Sequence, residues 1–232
     1  IKELNKAIIF SEENKNIRSI ILTGRGNKSF VAGADISEFT GVGSTQIRKI
    51  FADNVWEAIW NLSIPTIASI DGFALGGGSE IALSCDIRIA TTRSSFGTPE
   101  INLGLIPGGG GTQRLARLLG YGKALEMVMG GEIIPANEAY RIGLVNRLCE
   151  PDDLQSMTMG LAMNLASKSP HTIKVAKKAV RASLELPISE GLKFEHEDYL
   201  SVITIFSAYS HQEERSFKIA SRNKNGKNYF FN

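Results

Sequence analysis

The sequence predicts an α/β protein, and three observations lead to this fold class. Short β-branched runs that end in glycine, such as "IRSIILTGRG", are typical of buried strands. Longer stretches with apolar residues every three or four positions separate these runs and are typical of helices. After residue 150 the pattern is almost entirely helical, which predicts an α/β core followed by a helical layer.

The first half of the chain alternates regularly between the two patterns. Residues 1–13 and 44–62 have the apolar spacing of helices, and a strand between them ends at Thr23. Small residues from Ala32 to Ala34 allow a tight turn of the backbone. The run "IPTIASIDGFAL" predicts a second strand region, interrupted by Gly72, which is followed by a helix in "EIALSCD" and a strand in "IRIATT".

The second half begins with a glycine-rich segment. "SSFGTPEINLGLIPGGGGTQRLARLLG" predicts mostly loop, followed by a helix that begins near Gly110 or Gly111. "IIPANEAYRIGLVNRLCE" predicts a strand or loop, then a helix, then a strand. Further helices are predicted over residues 122–130, 151–169, 170–186 and from 191 to about 210.

Composition and charge exclude several functional classes. The 232 residues include 26 basic and 24 acidic ones, and the net charge of +2 argues against nucleic acid as a partner. Two isolated cysteines, Cys85 and Cys149, are predicted to be buried, reduced thiols, because a metal site needs more ligands. We see neither a run of about 20 apolar residues nor a signal peptide, so no membrane association is expected. The sequence predicts a cytoplasmic protein, or one of the mitochondrial matrix if a transit peptide was removed.

The glycine triplet Gly76–Gly78 stands between a strand and a helix that carries Glu80 in its first turn. Free N–H groups at a helix start attract anionic oxygen, either a phosphate or an oxyanion that forms in a transition state. The stretch is not a P-loop, because it lacks the lysine of that motif. It does not match the dinucleotide-binding fingerprint either, because Ile81 stands where that pattern requires glycine or alanine. Tight packing of the glycines remains the alternative.

A second stretch of small residues, "FVAGADI" from Phe30 to Ile36, also follows a strand. Two such backbone sites could converge on one carbonyl oxygen and form an oxyanion hole. Glu80 and Glu100 each lie near one of the glycine-rich helix starts, and two carboxylates in one pocket can hold a water between them as base and acid. Alternatively, Glu80 is a helix first-turn acid and Glu100 a loop residue.

Three stretches in this order and spacing resemble the crotonase (enoyl-CoA hydratase) family: "FVAGADI", "GFALGGGSEIALSCDIRIA" and "FGTPEINLGLIPGGGGTQRLARLLG". The resemblance extends to about Glu195 of the chain and implies a spiral of ββα units with a helical C-terminal layer that builds trimers, often paired into hexamers. It also implies a core over residues 1–185 and a trimerisation segment over 186–232. Because "IKELNKAIIF" resembles the middle of a helix, N-terminal strands of the family are expected to be missing from this sequence.

The resemblance also assigns roles to individual residues. It places the oxyanion hole at the N–H groups of Ala34 and Gly77, and it makes Glu80 and Glu100 the catalytic acids that act on water. It implies substrate contacts from Ala32, Gly33, Asp35 and Ile36 in the first motif, and from Gly108 at the third glycine run.

The activity implied is that of an enoyl-CoA hydratase, which adds water reversibly and in syn fashion to a trans-2-enoyl-CoA in fatty-acid β-oxidation or a related pathway. Coenzyme A is part of the substrate, and no cofactor or metal is expected. Rival readings are a double-bond isomerase, a thioester hydrolase, a non-catalytic CoA-binding relative, or an inactive fragment. Two tryptophans at helical spacing, Trp56 and Trp60, are predicted to serve in packing or in the wall of the acyl pocket.

Overall fold

The computed structural model of the chain describes residues 2–33, 41, 43, 45, 54–212, 220–222 and 228–230, with side chains as far as residue 207. Within these ranges the predicted α/β class is confirmed. Helices and strands alternate up to residue 150, and helices follow.

The elements of the first half are short. They are α1 (Lys2–Glu13), β1 (Ile20–Thr23), β2 (Ser29–Val31), α2 (Val55–Asn61), β3 (Thr66–Ile70), β4 (Phe73–Leu75), α3 (Gly77–Ser84), β5 (Ile87–Thr91), β6 (Ser95–Gly97) and a 3₁₀ helix (Pro99–Leu103). The predicted helix over 44–62 is described only in part, since residues 46–53 lie outside the described ranges.

The remaining elements carry the chain into the helical layer. They are α4 (Gly111–Leu119), α5 (Tyr121–Gly130), β7 (Ile133–Pro135), α6 (Ala136–Arg141), β8 (Arg147–Cys149), a 3₁₀ turn (Pro151–Asp153), α7 (Leu154–Ala166), α8 (Pro170–Ala182), α9 (Ile188–Gln212), β9 (Ala220–Arg222) and β10 (Asn228–Phe230). The last two strands form an antiparallel pair.

Two four-stranded sheets organise the core. One sheet is wholly parallel in the order β1-β3-β5-β8, and the other has the order β2-β4-β6-β7 with only its last pair antiparallel. Up to β6, successive strands therefore go to different sheets, and β3 and β4 are separated by Asp71 and Gly72 alone. The glycine is required at this corner because a Cβ there would lie 2.2 Å from the carbonyl oxygen of Lys28.

Every residue of β3 is buried, as expected for a central parallel strand covered on both faces. Ile67 and Ile89 pack with Leu154 and Ala162 of α7 on one face. Ala68, Ile70 and Ala90 belong to the larger core on the other face, which also contains the buried side of α3. The predicted buried thiols, Cys85 and Cys149, are confirmed as buried, and neither forms a disulfide.

One local prediction from the sequence was wrong. The segment after β5 was expected to be mostly loop, but it contains β6 and the 3₁₀ helix Pro99–Leu103. Three-residue strands are too short to show an alternating pattern, and β6 forms because β4 and β7 pair with it on either side. The strand region predicted in "IPTIASIDGFAL", interrupted by Gly72, is confirmed, and its two strands belong to two different sheets.

The chain divides into two compact units, residues 1–173 and 174–232. The first contains both four-stranded sheets. In the second, Lys178 lies 3.4 Å from Asp198 and its ammonium group stands 4.2 Å from the ring centroid of Phe194, so α8 and α9 are joined by an ion pair and a cation–π contact. The boundary expected from the family resemblance, between a core over residues 1–185 and a trimerisation segment over 186–232, concerns assembly and stays a prediction.

Candidate active site

The site begins where two neighbouring parallel strands end. β2 ends at Val31, β4 ends at Leu75, and Val31 pairs in register with Ala74. The segments that leave the two strands therefore start at the same edge of the sheet. Gly33 lies so close to the second segment that a Cβ on it would stand 3.3 Å from the carbonyl oxygen of Leu75.

This adjacency brings together the two small-residue motifs that the sequence singles out. Ala32 and Gly33 are described and exposed. Ala34, Asp35 and Ile36 lie outside the described residues, so their predicted roles stay predictions. The partner motif is described in full, with Gly76 as the residue before α3 and Gly77 as its first residue.

The three glycines of the triplet serve three different purposes. Gly76 has φ +53° and faces Glu100, whose Oε1 would lie 3.1 Å from a Cβ at this position. Gly78 packs against the backbone of β2, where a Cβ would be 2.0 Å from the carbonyl oxygen of Val31. Among the described residues, a Cβ on Gly77, between them, would meet only Trp56, at 3.3 Å. Close packing therefore explains Gly78 but does not explain Gly77.

Glu80 is a buried acid on the first turn of α3, with 2% of its surface exposed. Its Oε1 accepts hydrogen bonds from the N–H groups of Gly109 and Gly111, at 2.7 and 2.8 Å. These amides belong to the start of α4, so the carboxylate caps the N-terminus of a neighbouring helix. Oε2 also faces the segment that contains Gly109, since a Cβ on Gly109 would lie 2.8 Å from it.

Several opposing effects act on the pKa of Glu80. Burial raises it above its usual range and prevails, while the hydrogen bonds from Gly111 and Gly109 favour the charged form and lower it. The charge of Glu100 raises the pKa further, and the charge of Arg114 lowers it. Glu100 is therefore close enough to Glu80 for its charge to act on the pKa of Glu80.

Glu100 lies in the 3₁₀ helix after β6 and is partly buried. Burial raises the pKa of its carboxyl group, against a smaller lowering by its own backbone N–H. Its Oε2 is buried and has no hydrogen-bond partner among the described residues. Such an oxygen is costly in a folded protein, and it is typical of functional sites.

The sequence did not single out the amides of Gly109 and Gly111, nor Arg114. A signal was available, because "PGGGGTQR" is a third glycine-rich helix start with the same exposed N–H groups as the first two. Arg114, one turn into α4, donates to the carbonyl oxygen of Gly109 at 2.7 Å. Gly108, the predicted substrate contact, is exposed beside these residues, and its role stays a prediction.

Comparison with known proteins identifies the family. Residues 1–219 match the family model described as enoyl-CoA hydratase/isomerase. The chain belongs to the enoyl-CoA hydratase/isomerase family. The resemblance noted from three motifs is thereby confirmed over nearly the whole chain.

Individual relatives agree with this family assignment. The chain is 44% identical to a short-chain-enoyl-CoA hydratase of Clostridium acetobutylicum, over 86% of this chain and 77% of that protein. It is 38% identical to a crotonyl-CoA hydratase of Syntrophomonas wolfei, over 83% and 75%. A solved enoyl-CoA hydratase structure from Bacillus anthracis is similar with a TM-score of 0.84 and 37% identity, covering 91% of this chain and 85% of that one.

The fold predicted from the family resemblance is confirmed by such neighbours. In the described part of the chain no helix is long and apolar enough to cross a membrane. The same residues contain no group of three or more His, Cys, Asp or Glu side chains arranged to hold a metal ion.

Proposed function

We propose that this member of the enoyl-CoA hydratase/isomerase family is an enoyl-CoA hydratase, which adds water reversibly across the C2–C3 double bond of a trans-2-enoyl-CoA. One observation carries the proposal: Glu80 and Glu100, whose pKa values are both raised by burial, lie at the glycine-rich start of α3, and the charge of Glu100 acts on Glu80. Relatives named short-chain-enoyl-CoA hydratase and crotonyl-CoA hydratase support it.

The surroundings of the two carboxyl groups suggest a division of labour. Glu80 receives two backbone N–H bonds, which favour its charged form, so we assign it the role of general base on water. Glu100 has an unpartnered oxygen, which favours its protonated form, so we assign it the role of general acid. The water gives a proton to Glu80 and its oxygen to C3, while Glu100 gives a proton to C2.

Addition at C3 pushes an electron pair through C2 to the thioester oxygen, which becomes an enolate. We assign its stabilisation to the N–H of Gly77, helped by the N–H of Ala34. Gly77 suits this role because it is the first residue of α3, where the N–H has no partner within the helix. The thioester is itself the electron sink, so the proposed reaction uses no redox cofactor and no metal.

The direct experiment is to add crotonyl-CoA to the purified protein and follow the loss of enoyl-thioester absorbance, with product analysis. Formation of 3-hydroxybutyryl-CoA is expected. Release of free coenzyme A would indicate a thioester hydrolase, and migration of the double bond in a 3-enoyl-CoA without hydration would indicate an isomerase. A protein that binds the thioester and changes nothing would be a non-catalytic relative.

We extend the proposal to assembly and location. The chain is proposed to form trimers or dimers of trimers in the cytoplasm. The long helix α9 supports assembly, because large apolar side chains along it are exposed in the single chain: Leu192, Tyr199, Leu200 and Phe206. Sedimentation at several concentrations tests this, and a stable monomer would contradict it.

A further inference from the structure

Trp56 contacts both glycine-rich segments of the site. Its Nε1–H donates to the carbonyl oxygen of Gly77 at 3.0 Å, and Cζ2 would lie 3.3 Å from a Cβ at Gly77. The same indole lies against Gly109, where a Cβ would stand 2.5 Å from Cδ2 and Cε2. The residue is 7% exposed. The indole therefore lies between Gly77, the first residue of α3, and the Gly109 segment, whose backbone amides donate to the Glu80 carboxylate.

The helix that carries Trp56 also reaches Gly109 by a second route. Arg114 donates to the Gly109 carbonyl oxygen at 2.7 Å. Its guanidinium lies over the ring of Trp60, 4.9 Å from the centroid, and 3.4 Å from a carboxylate oxygen of Glu57. Helix α2 therefore fixes Gly109 directly through the ring of Trp56 and indirectly through Arg114.

We infer that Trp56 is a positioning residue that sets the separation between the Gly77 amide and the Glu80 carboxylate. The inference rests on the proposed hydration, in which these two groups act on one substrate, at the thioester oxygen and at C3. Trp56 need not touch a reacting atom. Its N–H orients the peptide that follows Gly77, and its ring keeps Gly109, which is bonded to Glu80, at a fixed distance from Gly77.

The expected effect is on turnover and not on binding. Misplacement of reacting groups by about 1 Å can lower the rate on the order of 10²-fold. Loss of the Trp56 contacts with Gly77 and Gly109 should therefore lower kcat by about tenfold or more. KM should change by less than about threefold, because in this proposal Trp56 acts on protein groups and does not contact the substrate. The carbonyl stretch of a bound enoyl thioester should also shift less than in the wild type, because the Gly77 amide no longer points at the oxygen.

The test compares Trp56→Phe with Ile59→Val, a control that also truncates a buried side chain on the same helix but makes neither the hydrogen bond to Gly77 nor the ring contact with Gly109. A second variant, Trp56→benzothienylalanine, keeps the bicyclic shape and removes only the N–H donor, so it decides the question if Trp56→Phe folds poorly. We expect a lower kcat in both Trp56 variants, and near-normal kcat and carbonyl shift in Ile59→Val. Thermal midpoints are measured for all three.

Two outcomes separate this inference from the proposed function. Wild-type hydration with an unchanged kcat and carbonyl shift in both Trp56 variants would overturn the positioning role and leave the hydratase standing. A wild-type protein that hydrates no enoyl-CoA would overturn both.

Discussion

The Oε1 atom of Glu80 lies 2.7 Å from the amide nitrogen of Gly109 and accepts its hydrogen bond. This single contact joins α3, which carries Glu80, to the start of α4. The donor is a backbone amide, so the contact stabilises a buried acid without using another charged side chain. The site therefore depends on backbone close to Glu80 as much as on the acid itself.

Gly109→Ala should damage this contact. The new methyl would lie 2.5 Å from the Trp56 ring and 2.8 Å from Oε2 of Glu80, so either the ring or the backbone amide must move. Overpacking of this kind costs about 1–3 kcal/mol of stability, and displacement of Glu80 should lower kcat by more than about tenfold. Gly122→Ala is the control, because nothing lies within 4 Å of a Cβ there and the residue is helical. Stability and kcat of the two variants are measured by thermal melts and initial rates. If Gly109→Ala and Gly122→Ala behaved equally, the close approach of Gly109 to Trp56 and Glu80 would be refuted.

Arg114 should make a small contribution to the pH dependence of the reaction, because its charge is the smallest of the effects on the pKa of Glu80. Its charge lowers the pKa of Glu80, so Arg114→Met should raise that pKa further. A general base must be deprotonated, and the acid limb of the kcat/KM profile should therefore move to higher pH. Arg117→Met, on the exposed side of the same helix, should leave the limb in place. An unshifted profile for Arg114→Met would show that Glu80 does not control this limb.

Glu100→Gln should stabilise the protein while inactivating it. The folded pKa of Glu100 is raised, so its favourable contribution to stability is full when the group is protonated and is lost as pH rises through that pKa. At pH 7 the variant should melt at a higher temperature than the wild type, and this difference should shrink as the pH falls below the ordinary pKa of a glutamic acid. Glu132→Gln, an exposed change, is the control for loss of a surface carboxylate; a Glu100→Gln variant that melts lower than the wild type at pH 7 would contradict the assignment.

Gly77 and Gly78 should respond oppositely to alanine. Gly78→Ala places a methyl 2.0 Å from the Val31 carbonyl oxygen, a backbone atom that cannot rotate away, and should destabilise or prevent folding. Gly77→Ala meets only the Trp56 ring, at 3.3 Å, and should fold. Gly77→Val should fold less well and should lose on the order of 10²- to 10³-fold in kcat, as expected for a disturbed oxyanion donor. If Gly78→Ala folded normally, the packing role of that glycine would be wrong.

Much of this could be predicted from the sequence, for physical reasons. Buried strands such as β3 show as β-branched runs, and glycine runs after strands mark helix starts with free N–H groups. The acids Glu80 and Glu100 stand beside such starts, so their convergence could be expected.

Other features depend on contacts between distant parts of the chain. The two amides that donate to Glu80 lie 29 and 31 residues further along the chain. A local sequence pattern does not predict that an acid distant in sequence will cap the start of a helix. Trp56 was expected to be a packing residue, and its burial fits that prediction. Its bond to Gly77 O could not be expected, because helical spacing does not specify the partner of an indole N–H. β6 was missed because a three-residue strand exists only through its neighbours.

The most direct test of the central claim is a double-mutant cycle on Glu80 and Glu100 with crotonyl-CoA as substrate. Glu80→Gln and Glu100→Gln keep the size of each side chain, and each should lower kcat by about 10²- to 10⁴-fold. Because both groups act in the same addition of water, one as base on the water and one as acid toward C2, the double variant should lose little more than the worse single variant. Single variants with near-normal turnover, or a double variant whose loss equals the product of the two single losses, would contradict the joint action of the two acids.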